Sequence, residues 1–202
     1  MKNFKNKSVL VTGSCGTIGV KLIEHLIKGG VKKIVGLDNN ESSIFFQDQQ
    51  YIDTPSASFF VIDIRDHDAV SRAMKDIEIV FHTAALKHVV LCERSPDQAI
   101  KTNINGVENI ISSAIENNVE KVIFTSSDKA VNPTNVMGAS KLMGERLMTA
   151  ANNIGKPSNT VFTSTRFGNV LGSSGSVVPI FANQIKKGGP LTLTSQDMSR
   201  FV

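Results

Sequence analysis

Ser8-Val9-Leu10-Val11-Thr12-Gly13-Ser14-Cys15-Gly16-Thr17-Ile18-Gly19 decides how this chain is read. An apolar run short enough for a buried strand passes into three glycines spaced three apart. The third glycine lies in a helical pattern in which Ile18, Leu22 and Leu26 recur every four residues. Strand, glycine turn and helix in that order begin a doubly wound α/β fold. A tight turn and a close backbone approach leave no room for Cβ, and the helix start directs N–H groups at an anion such as a pyrophosphate. The spacing is G-x-x-G-x-x-G rather than G-x-G-x-x-G, and on its own, turn punctuation is the lesser alternative.

Outward from that stretch the alternation continues. Lys33–Leu37, Phe59–Ile62, Ile79–Phe81, Val122–Phe124 and Val161–Thr163 read as buried strands, and Val107, Ile111 and Ile115 mark another helix face. Strands separated by helices imply a parallel sheet with right-handed crossovers. Residues 41–58 read as helix followed by loop. The pattern assigns 1–165 to a dinucleotide-binding domain and 166–202 to the start of a substrate lobe. In the lobe, loop-rich Phe167–Ser176 precedes a helical stretch at Val177–Lys187. The apolar ending Ser199-Arg200-Phe201-Val202 reads as cut, with the rest of the lobe absent.

The bulk properties narrow the function classes. Among 202 residues, 22 Lys and Arg against 18 Asp and Glu leave a net charge of +4 spread along the chain, which suits an anionic small ligand as well as a polyanion. Nothing in the pattern calls for nucleic acid. No window reaches 18 uninterrupted apolar residues, so no membrane span is expected, and the polar start does not resemble a signal peptide. Cys15 and Cys92, like His25, His67, His82 and His88, stand in no metal-ligand spacing, so no metal site is expected. The expected setting is the cytoplasm.

Asp38 ends the second strand 19 residues after Gly19, where a carboxylate can bind an adenosine ribose diol. Asn39 rather than arginine follows it, so NAD is favoured over NADP. Asp63, with Ile64, would meet the adenine, while Asp66 reads as a helix cap beside a solvated Arg65. Gly13, Cys15, Gly16, Thr17, Ile18 and Gly19 complete the expected cofactor contacts of the loop and first turn.

These residues resemble the extended short-chain dehydrogenase/reductase family, across essentially the whole chain. His82-Thr83-Ala84-Ala85 is similar to the family's cofactor wall, which puts Ala84 and Ala85 on NAD, and Asn103–Gly106 to the start of its central helix. In that family a Ser or Thr, a Tyr and a Lys form the site. Lys141 matches the lysine, which binds the nicotinamide ribose, but Met137 stands at the tyrosine position, and a thioether carries no proton. Ser127-Asp128-Lys129 is similar to the Thr-Asp-Glu triplet of nucleotide-sugar 4,6-dehydratases. Ser126 to Lys141 as a whole resembles the UDP-N-acetylglucosamine 4,6-dehydratases of polysaccharide and glycan biosynthesis, one branch of which has the same methionine. The resemblance implies Asp128 as acid at the departing C6 hydroxyl, Lys129 as C5 base, and Ser127 as a hydroxyl near C4 or C6. Lys87, Asn169 and Arg200 are implied substrate contacts. The plainer alternatives are a surface ion pair for Asp128 and Lys129, a solvated Lys87, a turn at Asn169 and a packing role for His82. Met143 and Met148 read as core or interface residues, and the pair of helices near 101–117 and 136–153 as a contact for a homo-oligomer. A nucleotide-sugar 4-epimerase and a non-catalytic NAD-binding remnant remain as rival expectations.

Overall fold

The computed structural model describes residues 4–154, 159–173, 175–193, 195 and 197. The chain forms two compact units, Met1–Arg166 and Phe167–Val202. In the first unit β1 (Ser8–Thr12), α1 (Thr17–Lys28), β2 (Lys33–Asp38), α2 (Glu41–Gln50), β3 (Ala57–Val61), α3 (His67–Ala73) and β4 (Ile79–His82) alternate. Helices α4 (Val89–Arg94) and α5 (Pro96–Ile100), a π turn (Lys101–Asn105) and α6 (Gly106–Glu116) follow. The unit continues with β5 (Lys121–Ser127), a 3-10 turn (Asp128–Ala130) and α7 (Val136–Ile154), and β6 (Val161–Phe167) carries the chain into the second unit. There, α8 (Val177–Lys186) is the helix expected at Val177–Lys187.

The six strands make one parallel sheet in the order β3-β2-β1-β4-β5-β6. The order reverses between β1 and β4, so a crevice opens at their carboxyl ends, the usual ligand position in such folds. Alternation along the strands explains the two core layers. Leu10, Val35, Val80 and Phe124 face α3, α6 and α7, whereas Val9, Val11, Ile34 and Ile79 face α1 and α2.

The buried stripe of α1 is Gly19, Ile23 and Leu26, rotated from the expected Ile18-Leu22-Leu26. The cause is Gly19, where a Cβ would overlap the Gly13 carbonyl oxygen. Seating that glycine against the loop turns Ile23 and Leu26 onto the sheet. In α6 the fully buried positions are likewise Val107, Ile110 and Ala114, with Ile111 and Ile115 half-buried. Of the two methionines read as core or interface residues, Met148 is core and Met143 is exposed.

His82 is the packing residue expected of it. Its ring is fully buried, stacks on Phe124 with centroids 5.6 Å apart, and places Nδ1 2.7 Å from Thr12 Oγ1. Its Nε2 meets no partner among the described residues. Burial, then the Lys141 ammonium, push its pKa down to about 3. The unfolded chain therefore takes up a proton near pH 6.5 that the folded chain refuses, and stability falls as pH drops from 6.5 towards 3. At pH 4 this amounts to about 3 kcal/mol. Urea melts of His82→Phe should show a flatter acid limb than those of the wild type.

Candidate functional site

The expected cofactor residues gather at the carboxyl ends of β1, β2 and β4. Gly13 takes φ +67°, and a Cβ there would stand 2.7 Å from the Ala84 nitrogen, so the loop lies directly on the chain leaving β4. Gly16 caps α1 without a side-chain hydrogen bond, at the end of the helix that carries the positive end of its dipole. Asp38 Oδ2 accepts the Cys15 N–H (3.1 Å) and Oδ1 accepts the Asn40 N–H (3.1 Å), which fixes the carboxylate at the strand end. Thr17 and Ile18 open α1 beside it. Ala84 donates its N–H to Thr12 Oγ1 (3.3 Å), and Ala84 and Ala85 are half-buried where the chain leaves β4.

Asp63 follows β3 and is half-buried. The Arg65 guanidinium grips its carboxylate through Nε (2.9 Å) and Nη2 (2.5 Å) and holds the carboxyl below its ordinary range, against the upward push of burial. Arg65 is thus paired while it stays exposed to solvent, as expected. An adenine amine would meet an acid already engaged. Ile64 is buried under Gly106, where a Cβ would come within 2.7 Å of Ile64 Cδ1, so only its backbone can meet a ligand. Asp66 caps α3 by accepting the Ala69 N–H (3.0 Å).

Ser127 ends β5, and Asp128 and Lys129 begin the 3-10 turn. Ser127 Oγ donates to Asp128 Oδ1 (2.9 Å) and accepts the Lys129 N–H (3.3 Å), while Lys129 Nζ lies 3.1 Å from the same Asp128 oxygen. For Asp128, burial pushes the pKa up, but Lys129 and Ser127 together outweigh it and hold the carboxyl low. The ion pair foreseen as the plainer alternative is therefore formed, within one hydrogen-bonded triplet.

Lys141 reaches under this strand end from α7. Its ammonium donates to the Thr125 carbonyl (2.9 Å), sits 4.7 Å from the Phe124 ring centre and is 6% exposed. Burial brings its pKa down to about 8, opposed by Glu145 one turn along α7. Glu145 is clamped by Arg166 Nε (2.8 Å) and Nη2 (2.7 Å) from β6. Met137, at the tyrosine position, is buried with Cys92 and Ala99.

Asn103 carries more than the start of a helix. From the π turn it donates to the Leu86 carbonyl (2.9 Å) and to Ser140 Oγ (2.9 Å), and accepts the Leu86 N–H (2.8 Å). It ties the chain after Ala85 to the helix that bears Lys141. Lys87 is exposed between β4 and α4. Asn169 belongs to the second unit, half-buried after β6, and Arg200 lies outside the described residues. Among the described residues no group of three or more His, Cys, Asp or Glu can hold a metal ion, and no helix is long and apolar enough to cross a membrane.

Residues 9–202 match the family model described as polysaccharide biosynthesis protein. The chain belongs to that family. An uncharacterized membrane protein of Methanocaldococcus jannaschii is 48% identical over 199 residues, 98% of this chain and 60% of that protein. A UDP-glucose 4-epimerase of Rickettsia conorii is 41% identical over 206 residues, 98% of this chain and 59% of that protein. Among solved structures, Pen from Bacillus thuringiensis superposes with a TM-score of 0.96 at 44% identity, covering 100% of this chain and 64% of that one. The chain spans about three-fifths of the length of the curated relatives it matches.

Proposed function

We propose that the protein is an NAD-dependent nucleotide-sugar 4,6-dehydratase, acting on UDP-N-acetylglucosamine. The observation that carries this reading is the Ser127-Asp128-Lys129 triplet at the end of β5, with buried Lys141 beneath it and an apolar Met137 where a phenol would stand. The glycine loop fits a dinucleotide. Gly13 and Gly19 sit where a Cβ would strike backbone, Gly16 leaves the helix start uncapped, and Asp38 offers a carboxylate at the strand end. Bound there, NAD would supply the oxidation at sugar C4 and return the hydride to C6, with C5 regaining a proton in that last step.

The chain's own groups divide the remaining work. A C4 ketone acidifies the C5 proton, which Lys129 Nζ takes, while Asp128 protonates the departing C6 hydroxyl and Ser127 hydrogen-bonds near C4 or C6. These roles require a neutral amine beside a protonated carboxyl. That state is the Asp128–Lys129 ion pair with one proton moved across its 3.1 Å contact. A sugar that displaces water from the pair favours the neutral form, because desolvation penalises both charges. Lys87, Asn169 and Arg200 are assigned to the sugar nucleotide, and the lobe from residue 166 to its binding. A homo-oligomer through α6 and α7 would cover Met143, 48% exposed on α7, and light scattering reads its mass. The cytoplasmic setting forms part of the same proposal.

Incubation of the protein with NAD and UDP-N-acetylglucosamine should yield a 4-keto-6-deoxy sugar, and Lys129→Ala should slow its formation about 10³-fold. The likeness to the UDP-glucose 4-epimerase of Rickettsia conorii favours a 4-epimerase as second reading. A product that keeps its C6 hydroxyl would decide for it. NAD binding without any UDP-sugar turnover would instead favour a non-catalytic member of the family.

A further inference from the structure

We propose that Gln47 is a positioning residue for the phosphate-bearing part of the ligand, acting by fixing the orientation of the Ser14–Cys15 peptide in the glycine loop. The inference rests on the dinucleotide reading above and assigns a determinant to it from outside the loop.

Gln47 stands on α2, 6% exposed. Its Nε2 donates to the Ser14 carbonyl (2.8 Å), and its Oε1 accepts from the Cys15 thiol (3.4 Å). The other side of the same peptide is taken by Asp38, which accepts the Cys15 N–H. One peptide unit is therefore held at both ends, by a buried amide and by the carboxylate expected at the ribose.

The neighbouring carbonyls are committed as well. Thr12 accepts from the Thr83 hydroxyl (2.7 Å) and Gly13 from the Gly16 N–H (3.0 Å). Three successive carbonyl dipoles thus end on the protein's own donors, and an anion at the loop meets the positive end of α1 without a competing oxygen. Without Gln47 the Ser14 carbonyl loses its donor in a buried place. The peptide gains by rotating that oxygen towards the ligand side, where it repels phosphate.

Calorimetry on the 202-residue chain with NAD, ADP and adenosine tests this. Gln47→Met keeps length and apolar volume and removes the amide, while Gln47→Glu keeps shape and turns the donor into an acceptor. Both variants should melt as folded proteins, bind NAD and ADP about tenfold more weakly than wild type, and lose clearly less affinity for adenosine, which brings no phosphate to the loop. Unaltered NAD and ADP affinity in a folded variant overturns the proposal. So does an equal loss for adenosine, or loss of folding in both variants, since either makes Gln47 a general support of the fold. If the wild type itself binds neither NAD nor ADP, the dinucleotide reading fails instead.

Discussion

Lys141→Met should give a protein that melts later than the wild type and lacks the proposed dehydratase turnover. In the folded chain the ammonium is buried against Phe124 and the Thr125 carbonyl, with its pKa near 8 against 10.5 for a free lysine. The folded state therefore releases the proton at lower pH than the unfolded one. Between pH 8 and 10.5 the unfolded chain binds more protons, so stability rises with pH across that window, and below it the charged lysine opposes folding. Removing the charge relieves about 3 kcal/mol, less about 1 kcal/mol for the hydrogen bond to Thr125. A net gain of about 2 kcal/mol at pH 7 should appear in denaturant melts, and the rise between pH 8 and 10.5 should vanish. Turnover should fall by at least about 10³-fold, the scale of losing an oriented ionisable group at a reacting centre. Stability and activity moving in opposite directions is the signature of a residue kept for chemistry. A variant that is both less stable and active would refute this account of Lys141.

Gly138→Ala should damage the same site from the other side. A Cβ at this position would overlap the Lys129 carbonyl oxygen and come within 3.1 Å of Pro133 Cβ. The first turn of α7 packs directly on the 3-10 turn, with Asn135 Oδ1 accepting the Gly138 N–H (2.8 Å). One methyl group must push apart the two segments that carry Asp128-Lys129 and Lys141. Overpacking of this kind costs about 3 kcal/mol. Turnover should fall about 10²-fold beyond any loss of folded protein, because a displacement of about 1 Å suffices for that. Measuring activity per folded molecule, with NAD affinity as control, separates the two effects. Near-normal turnover in the folded fraction would mean that the α7 contact does not set the site.

The parts of this protein that sequence reading recovers are those written locally. Strand β1, the three glycines and Asp38 carry their meaning in short spacings, and all stand at the crevice where the sheet order reverses. Met137 could be recognised as a departure because Lys141 supplies the frame for it. The grip of Gln47 on Ser14 crosses 33 residues from a helix with little apolar periodicity, so no window contains both ends of it. The Glu145–Arg166 clamp spans 21 residues for the same reason. Arg65 is exposed as read, but its pairing with Asp63 two residues away was not foreseen, because only the backbone bend after β3 turns the guanidinium back onto Asp63. The stripe on α1 was misplaced by one position, since periodicity ranks large side chains and the deciding contact belonged to Gly19.

The π turn at Lys101–Asn105 has a geometric consequence for the rod it interrupts. A helix that runs straight through keeps one angular phase, so a single face would have to serve everything along its length. Here Ala99, before the turn, packs in the small cluster with Cys92 and Met137, whereas Val107, Ile110 and Ala114, after it, pack in the main core. The wider turn resets the azimuth between them by a fraction of a revolution and points Asn103 at Leu86 and Ser140 on the way. It works as a phase shifter: one continuous backbone addresses two differently oriented clients, and its register, rather than any one side chain, keeps both appointments.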